Sequence, residues 1–216
     1  MQITILVVAP HADDAELGAG ATINRWLAEG HRVAVVNLSD TQNINGKIAG
    51  LNLQAEAVAA SALLGIKDED VIFGDFPTRH FSSERQRILD FLIQIRDELR
   101  PDIVIGPSIS DTHQDHGVVA NEIQRAFRNS TILGVDTYWN IPDQKIPMVV
   151  EVSRQNISAK VRALSEFGSQ SEKRYMQPNS VLAQARIRGL PRGFDFAEAF
   201  SVVQISMNSS TRIARL

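Results

Sequence analysis

Two short stretches hold the residue types that activate water: His11-Ala12-Asp13-Asp14 and Asp111-Thr112-His113-Gln114-Asp115-His116. Between them they carry three of the five histidines in 216 residues. The chain has no cysteine, so a metal held here must take His, Asp or Glu. Asp13 and Asp14 are adjacent carboxylates that repel one another unless a cation or a proton offsets them, and a metal ion would do so. Each piece also has a plain structural reading. A lone His at a strand end is commonly structural, Asp-Asp before a helix can cap it, and His-x-x-His alone is a weak motif. Position strengthens the case, because each stretch follows a strand and a fold could bring both to one crevice.

The elements that would place them alternate along the chain. Ile3–Ala9 is an apolar, β-branched run without the alternation of a half-exposed strand, so it reads as a parallel strand covered on both faces. Pro10 has no amide hydrogen for a sheet ladder and ends it. A helix over 16–29 stops at Gly30. Arg32–Leu38 is a second buried strand, followed by a polar loop over 40–50. Asn52–Leu64 is an alanine-rich helix closed by Gly65, and Val71–Phe76 a third strand opening into Pro77-Thr78-Arg79-His80. Ser82 or Ser83 caps a helix through Leu99, with Ile88, Leu92, Ile95 and Leu99 on one face. Asp102–Gly106 is a fourth strand, and a helix runs from Gly117 to Arg128. The remainder reads as strands at Thr137–Ile141, Met148–Val152 and Ala199–Ile205, with helices at Ser158–Phe167 and Ser180–Arg188. The alternation predicts a doubly wound, Rossmann-like α/β sheet, mostly parallel, with extra edge strands from the C-terminal part. The carboxyl ends of the strands are where such sheets place their sites.

Length and 44% hydrophobic content allow a full core in one domain over 1–216, and no repeat or linker divides the chain. A net charge of −3 gives no electrostatic reason to expect nucleic acid. No apolar run reaches the eighteen or so residues of a membrane span, and Met1 is followed almost at once by a strand rather than by a secretory signal. A soluble, cytoplasmic protein is expected.

The residues now carry a resemblance. Pro10-His11-Ala12-Asp13-Asp14-Ala15-Glu16-Leu17-Gly18 resembles the Pro-His-Pro-Asp-Asp-x-x-x-Gly signature of the PIG-L/LmbE family of zinc-dependent N-deacetylases. His113-Gln114-Asp115-His116 is similar to its second motif, His-Pro-Asp-His. Lys160-Val161-Arg162-Ala163-Leu164 with Ser169-Gln170, and Phe196-Ala197-Glu198-Ala199-Phe200, resemble its tail pattern. Ala12 and Gln114 depart from the usual prolines but remove no functional group. The resemblance implies one zinc ion per chain on His11, Asp14 and His116. It implies Asp13 as general base, His113 as stabiliser of the oxyanion, and Asp115 as the group that orients and charges His113. The products would be acetate and a free amine on an amino sugar, and homo-oligomers are common in the family. Many members also carry a substrate-holding arginine on the alanine-rich helix, where this chain has Leu53.

Substrate residues are less legible. Sugar recognition combines an aromatic platform with planar hydrogen-bonding groups, which singles out Trp139, Tyr138, Arg79, Asp75 and Asn140. Arg79 is expected either to replace the arginine missing at Leu53 or to pair with a carboxylate such as Asp75 or Glu84. The loops 40–50, 77–82 and 137–147 would choose the substrate. Two other classes fit the motifs: another metal-dependent hydrolase, such as a phosphoesterase with a second metal, and a non-catalytic α/β sugar-binding module.

Overall fold

The computed structural model describes residues 2–40, 53–141 and 147–206. Seven strands form one sheet: β1 (Thr4–Ala9), β2 (Arg32–Asp40), β3 (Val71–Pro77), β4 (Ile103–Gly106), β5 (Thr131–Val135), β6 (Met148–Glu151) and β7 (Ala197–Gln204). Their order is β3-β2-β1-β4-β5-β7-β6. The first five are parallel, and β7 runs antiparallel between β5 and β6. The mostly parallel α/β sheet with C-terminal edge strands is therefore as expected.

The apolar run of β1 is buried on both sides because the sheet separates two cores. Ile5 and Val7 pack into one with Trp26, Leu64, Phe167 and Phe200. Leu6 and Val8 pack into the other with Phe81, Leu92, Ile123 and Phe127. Helices α1 (Asp14–Ala28), α2 (Leu53–Leu64), α5 (Arg154–Ser165) and α6 (Pro178–Gly189) bring residues to the first core; α3 (Arg85–Leu99) and α4 (Gln114–Ala126) bring them to the second. Gly30 follows α1 at φ +87°, a left-handed conformation that glycine adopts without penalty. Among the described residues, no helix is long and apolar enough to cross a membrane.

Several boundaries differ from expectation. The fifth strand is Thr131–Val135, whereas Thr137–Ile141 is a turn in which the Asn140 and Ile141 amides donate to the Thr137 carbonyl. Gly134 masks the strand in the sequence, since glycine is a weak strand former. A Cβ there would stand 2.8 Å from the Ser108 Cα, so the close approach of backbone excludes a side chain. Ser82 and Ser83 do not cap α3; they lie in a short 3-10 turn, and Glu84 precedes the helix. The helix expected from Ser158 begins at Arg154, behind a Ser153–Asn156 capping box. The helix expected from Gly117 begins at Gln114, which puts Asp115 and His116 in its first turn. Of the loop expected over 40–50, all but Asp40 lies outside the described residues, as do residues 142–146 of the loop over 137–147.

Candidate active site

Chain connections leave β1 towards β2 on one side, and β4, its neighbour on the other side, continues towards β5. Open α/β sheets carry their crevice at this reversal, outside the carboxyl ends of the strands. His11–Asp14 leaves the end of β1 and Asp111–His116 follows β4, so the topology brings both stretches to the same place.

Three donor atoms meet there. His11 Nδ1 and Asp14 Oδ2 are 3.2 Å apart, His116 Nε2 and Asp14 Oδ2 3.2 Å, and the two ring nitrogens 3.3 Å. Ligands at zinc bonding distance with tetrahedral angles stand about 3.3 Å from one another. The triangle therefore fits a divalent ion with an open position facing the cleft. Its donor set is two imidazoles and a carboxylate, which suits zinc and its neighbours in the first transition row. Charge points the same way. Burial opposes protonation of His11, but Asp115 and Asp14 outweigh it and push the ring up to about 9. For His116, burial is likewise outweighed, by Asp14 and Asp111, and the ring rises to about 10. The carboxylates call for positive charge between them, which protons or a metal can supply.

Neighbouring groups fix the triangle. Asp111 Oδ2 sits 2.8 Å from His116 Nδ1 and accepts from the Thr137 hydroxyl, while Oδ1 accepts from the His113 amide. Asp115 is completely buried; its Oδ2 lies 3.0 Å from His11 Nε2 and accepts from the Arg79 amide, and its Oδ1 accepts from the Phe81 amide. This corrects the role implied for Asp115. Its carboxylate orients His11, and its link to His113 runs through its own main-chain N–H, which donates to His113 Nδ1 at 3.2 Å. That bond leaves a neutral His113 with its proton on Nε2. Burial and the nearby His116 and His11 hold His113 below its ordinary pKa. The carboxylate of Asp14 is within the triangle, whereas that of Asp13 is not; Asp13 sits at the start of α1 yet makes no capping bond. A second group of donors, His11, His113 and Asp115, shares His11 with the first. In this second group Asp115 already accepts from the Arg79 and Phe81 amides and faces His11 Nε2, which ties it to the support of the first group.

Residues 6–127, more than half of the sequence, match the family described as PIG-L, GlcNAc-PI de-N-acetylase. The chain belongs to the PIG-L family. Solved structures resemble it along almost its whole length. The conserved protein TT1542 from Thermus thermophilus is 23% identical with a TM-score of 0.76, over 98% of this chain and 100% of that one. The N,N'-diacetylchitobiose deacetylase of Pyrococcus horikoshii is 18% identical with a TM-score of 0.73, over 95% and 87%. GalB, the 4-carboxy-2-hydroxymuconate hydratase of Pseudomonas putida, is 17% identical with a TM-score of 0.77, over 98% and 100%. At these identities the likeness is one of fold.

Around the PIG-L motifs lies a cleft of about 380 Å³. Leu17, Leu53 and Phe167 give it an apolar wall, so the leucine at the family's arginine position faces the cleft without a hydrogen-bonding group. Trp139 lines it and stacks on Tyr175, with ring centroids 4.2 Å apart and planes 6° from parallel. Arg79 lines it as well, at φ +71°. Asp75 does not: it is exposed and bound to Arg87, so the substrate role expected of it is withdrawn. Tyr138 is also largely exposed, packed edge-on to Trp139. Sequence reasoning misses Lys173, whose Nζ is 3.5 Å from Asp13 Oδ2, because the stretch before α6 has no periodic signal. It also misses Glu16, buried behind the cleft with one carboxylate oxygen lacking a hydrogen-bond partner and its pKa pushed up to about 8, first by burial and then by Asp13. No motif separates Glu16 from the other residues of the first helix.

Proposed function

We propose that this chain, acting as one domain over residues 1–216, is a metal-dependent N-deacetylase that hydrolyses the acetamide of a small amino sugar or glycoconjugate. The observation that carries the reading is the equilateral set of His11, Asp14 and His116 donors beside a carboxylate, Asp13, that stays out of it. Membership of the PIG-L family supports it, as does the deacetylase among the structural relatives. Zinc is the ion we assign, and His11, Asp14 and His116 would hold it. When bound, the ion would acidify a water molecule and polarise the amide carbonyl.

The protein groups divide the remaining work. Asp13 takes a proton from the attacking water. Its burial and the Asp14 charge raise its pKa, while Lys173 and His11 restrain the rise, which suits a base working near neutrality. His113 directs Nε2–H at the oxygen that gains charge as the carbonyl carbon becomes tetrahedral. Asp13 then returns the proton to the nitrogen as the C–N bond breaks, giving acetate and a free amine. Trp139 and Asn140 face the cleft where a sugar ring would lie. The cysteine-free sequence is compatible with the cytoplasmic location we assign.

The test is a panel of N-acetylated amino sugars incubated with metal-loaded protein, scored for free amine and acetate. Release of phosphate from esters would replace this reading with the phosphoesterase. Hydration of a carbon–carbon double bond without acetate release would align the chain with the Pseudomonas relative. A protein that takes up no metal would be the binding module.

A further inference from the structure

We propose that the cleft holds an anionic group of its substrate, a phosphate or carboxylate carried by the acylated sugar, between Arg79 and Lys173. The sugar part rests on the deacetylase reading above; the anion rests on the cleft's own residues.

Arg79 first. Both carboxylates that could have neutralised it are taken by another arginine: Arg87 binds Asp75 at 3.0 Å and Glu84 at 2.6 Å. Among the described residues, no carboxylate pairs with the Arg79 guanidinium, which is exposed and borders the cleft. Its backbone is held in place. At φ +71° a non-glycine residue is strained, and the Arg79 amide is fixed by its 2.7 Å bond to Asp115. The residue is thus anchored to the buried support of His11 while its fork of donors stays open to a ligand. Such a fork matches two oxygens of a phosphate or carboxylate at once.

Lys173 supplies the second cation. Its ammonium lies 3.5 Å from Asp13 Oδ2 and 5.6 Å from the centre of the Tyr175 ring, and the side chain is 41% exposed. An ammonium has three donors, so it can keep Asp13 and still reach a ligand oxygen. The charge balance favours an anion. Among the described residues the lining contains two carboxylates, Asp13 and Asp14, against Arg79 and Lys173. A divalent ion on the triad leaves the lining two charges positive, in a chain whose net charge is −3. Ser39, Thr78, Asn140, Gln170 and Tyr175 also line the cleft with neutral polar groups that suit hydroxyls. A wholly neutral sugar would offer Arg79 only hydroxyl acceptors and no counter-charge, a weaker match than the paired oxygens of an anion.

The experiment has two arms on metal-loaded protein. In the first, acetate release is followed for N-acetylglucosamine 1-phosphate, its 6-phosphate, N-acetylglucosaminuronate and methyl N-acetylglucosaminide. In the second, calorimetry measures binding of the matching free-amine sugars, which have no amide left to hydrolyse. Each is run on the wild type, Arg79→Gly and Lys173→Gln. Glycine suits the positive φ and keeps the amide that Asp115 needs, so retained metal content certifies that the site is intact. At least one anionic sugar is expected to bind about tenfold or more tightly than the neutral one in the wild type. That preference should fall about tenfold in Arg79→Gly, with a smaller fall in Lys173→Gln. Phosphate preference over carboxylate, or the reverse, identifies which anion the fork takes. Equal binding of neutral and anionic sugars, or a preference that survives Arg79→Gly, overturns the inference and leaves the deacetylase reading standing. Preference for the anion without acetate release from any sugar leaves the subsite standing and removes the deacetylase.

Discussion

Asp13 and Asp14 are neighbours in the chain and differ because their surroundings differ. Asp14 Oδ2 faces two imidazoles and accepts from the His11 amide at 2.9 Å; although burial opposes ionisation, these partners hold its carboxyl well below the ordinary range. Asp13 has burial and the Asp14 charge pushing it up, with Lys173, His11 and a main-chain hydrogen bond in opposition. Two carboxylates driven apart in this way suit a ligand and a base. Asp13→Asn is therefore expected to keep its metal while kcat falls about 10²–10⁴-fold; elemental analysis beside kinetics decides it, since loss of the metal would make Asp13 a ligand. Asp111 is the stronger test of the orienting groups. Asp111→Asn weakens the 2.8 Å contact that aims His116, and metal affinity should drop about 10–100-fold in chelator competition. The two motifs are legible in the sequence because their residue types are scarce and follow strand ends. The partners of His11 and His116 are not, since which carboxylate meets which ring depends on the turn of α4 and on the Arg79 amide, which sequence spacing does not report.

At the scale of elements, α1 carries Asp14 at its first position and is held by a buried ion pair from elsewhere in the chain. Lys160 of α5 donates to the Leu17 carbonyl at 2.7 Å and to Glu198 of β7 at 2.6 Å. Glu198 in turn accepts from the Ala21 and Thr22 amides. The Lys160 stem lies against Gly20, where an added Cβ would come within 3.1 Å of its Cγ. The tail pattern seen in the sequence thus clamps the helix that bears Asp14 of the proposed metal site, a link between distant segments that residue types alone do not disclose. Both charged ends are buried, so Lys160→Met leaves Glu198 without its counter-charge and is expected to cost about 3–5 kcal/mol. The double change Lys160→Met with Glu198→Gln should recover part of that loss in denaturant titration; equal loss in the single and double variants would mean that packing, not charge, sets the cost. The alternation of strand and helix up to residue 128 is readable because apolar runs and glycine stops recur there. Beyond it β5 still pairs in parallel but β7 runs antiparallel between β5 and β6, and the sequence pattern exchanges the Gly134-bearing strand with the turn at Thr137–Ile141.

For the whole molecule, the site makes stability and metal binding depend on pH in opposite senses. His11 and His116 have pKa values near 9 and 10 in the folded protein without metal, against an ordinary value near 6.5. A ring that holds its proton more tightly when folded stabilises the fold fully below about pH 6.5, and that contribution is lost as pH rises through about 9 and 10. Chelator-treated protein should therefore lose melting temperature steadily between about pH 7 and pH 10. Binding of a divalent ion requires both rings neutral, so at neutral pH it must displace the protons. Calorimetric titration with zinc at about pH 7.5, in buffers of different ionisation enthalpy, should show about one to two protons released per ion. Affinity should then rise with pH over the same interval in which the metal-free protein weakens. The metal-loaded protein, its rings already held as ligands, should show no such fall in melting temperature. Uptake of zinc without proton release would mean that the rings are neutral beforehand and that the surrounding carboxylates Asp14, Asp111 and Asp115 do not hold them charged. Release of protons together with a melting temperature flat from about pH 7 to 10 in the metal-free protein would place the protons on groups outside the triad.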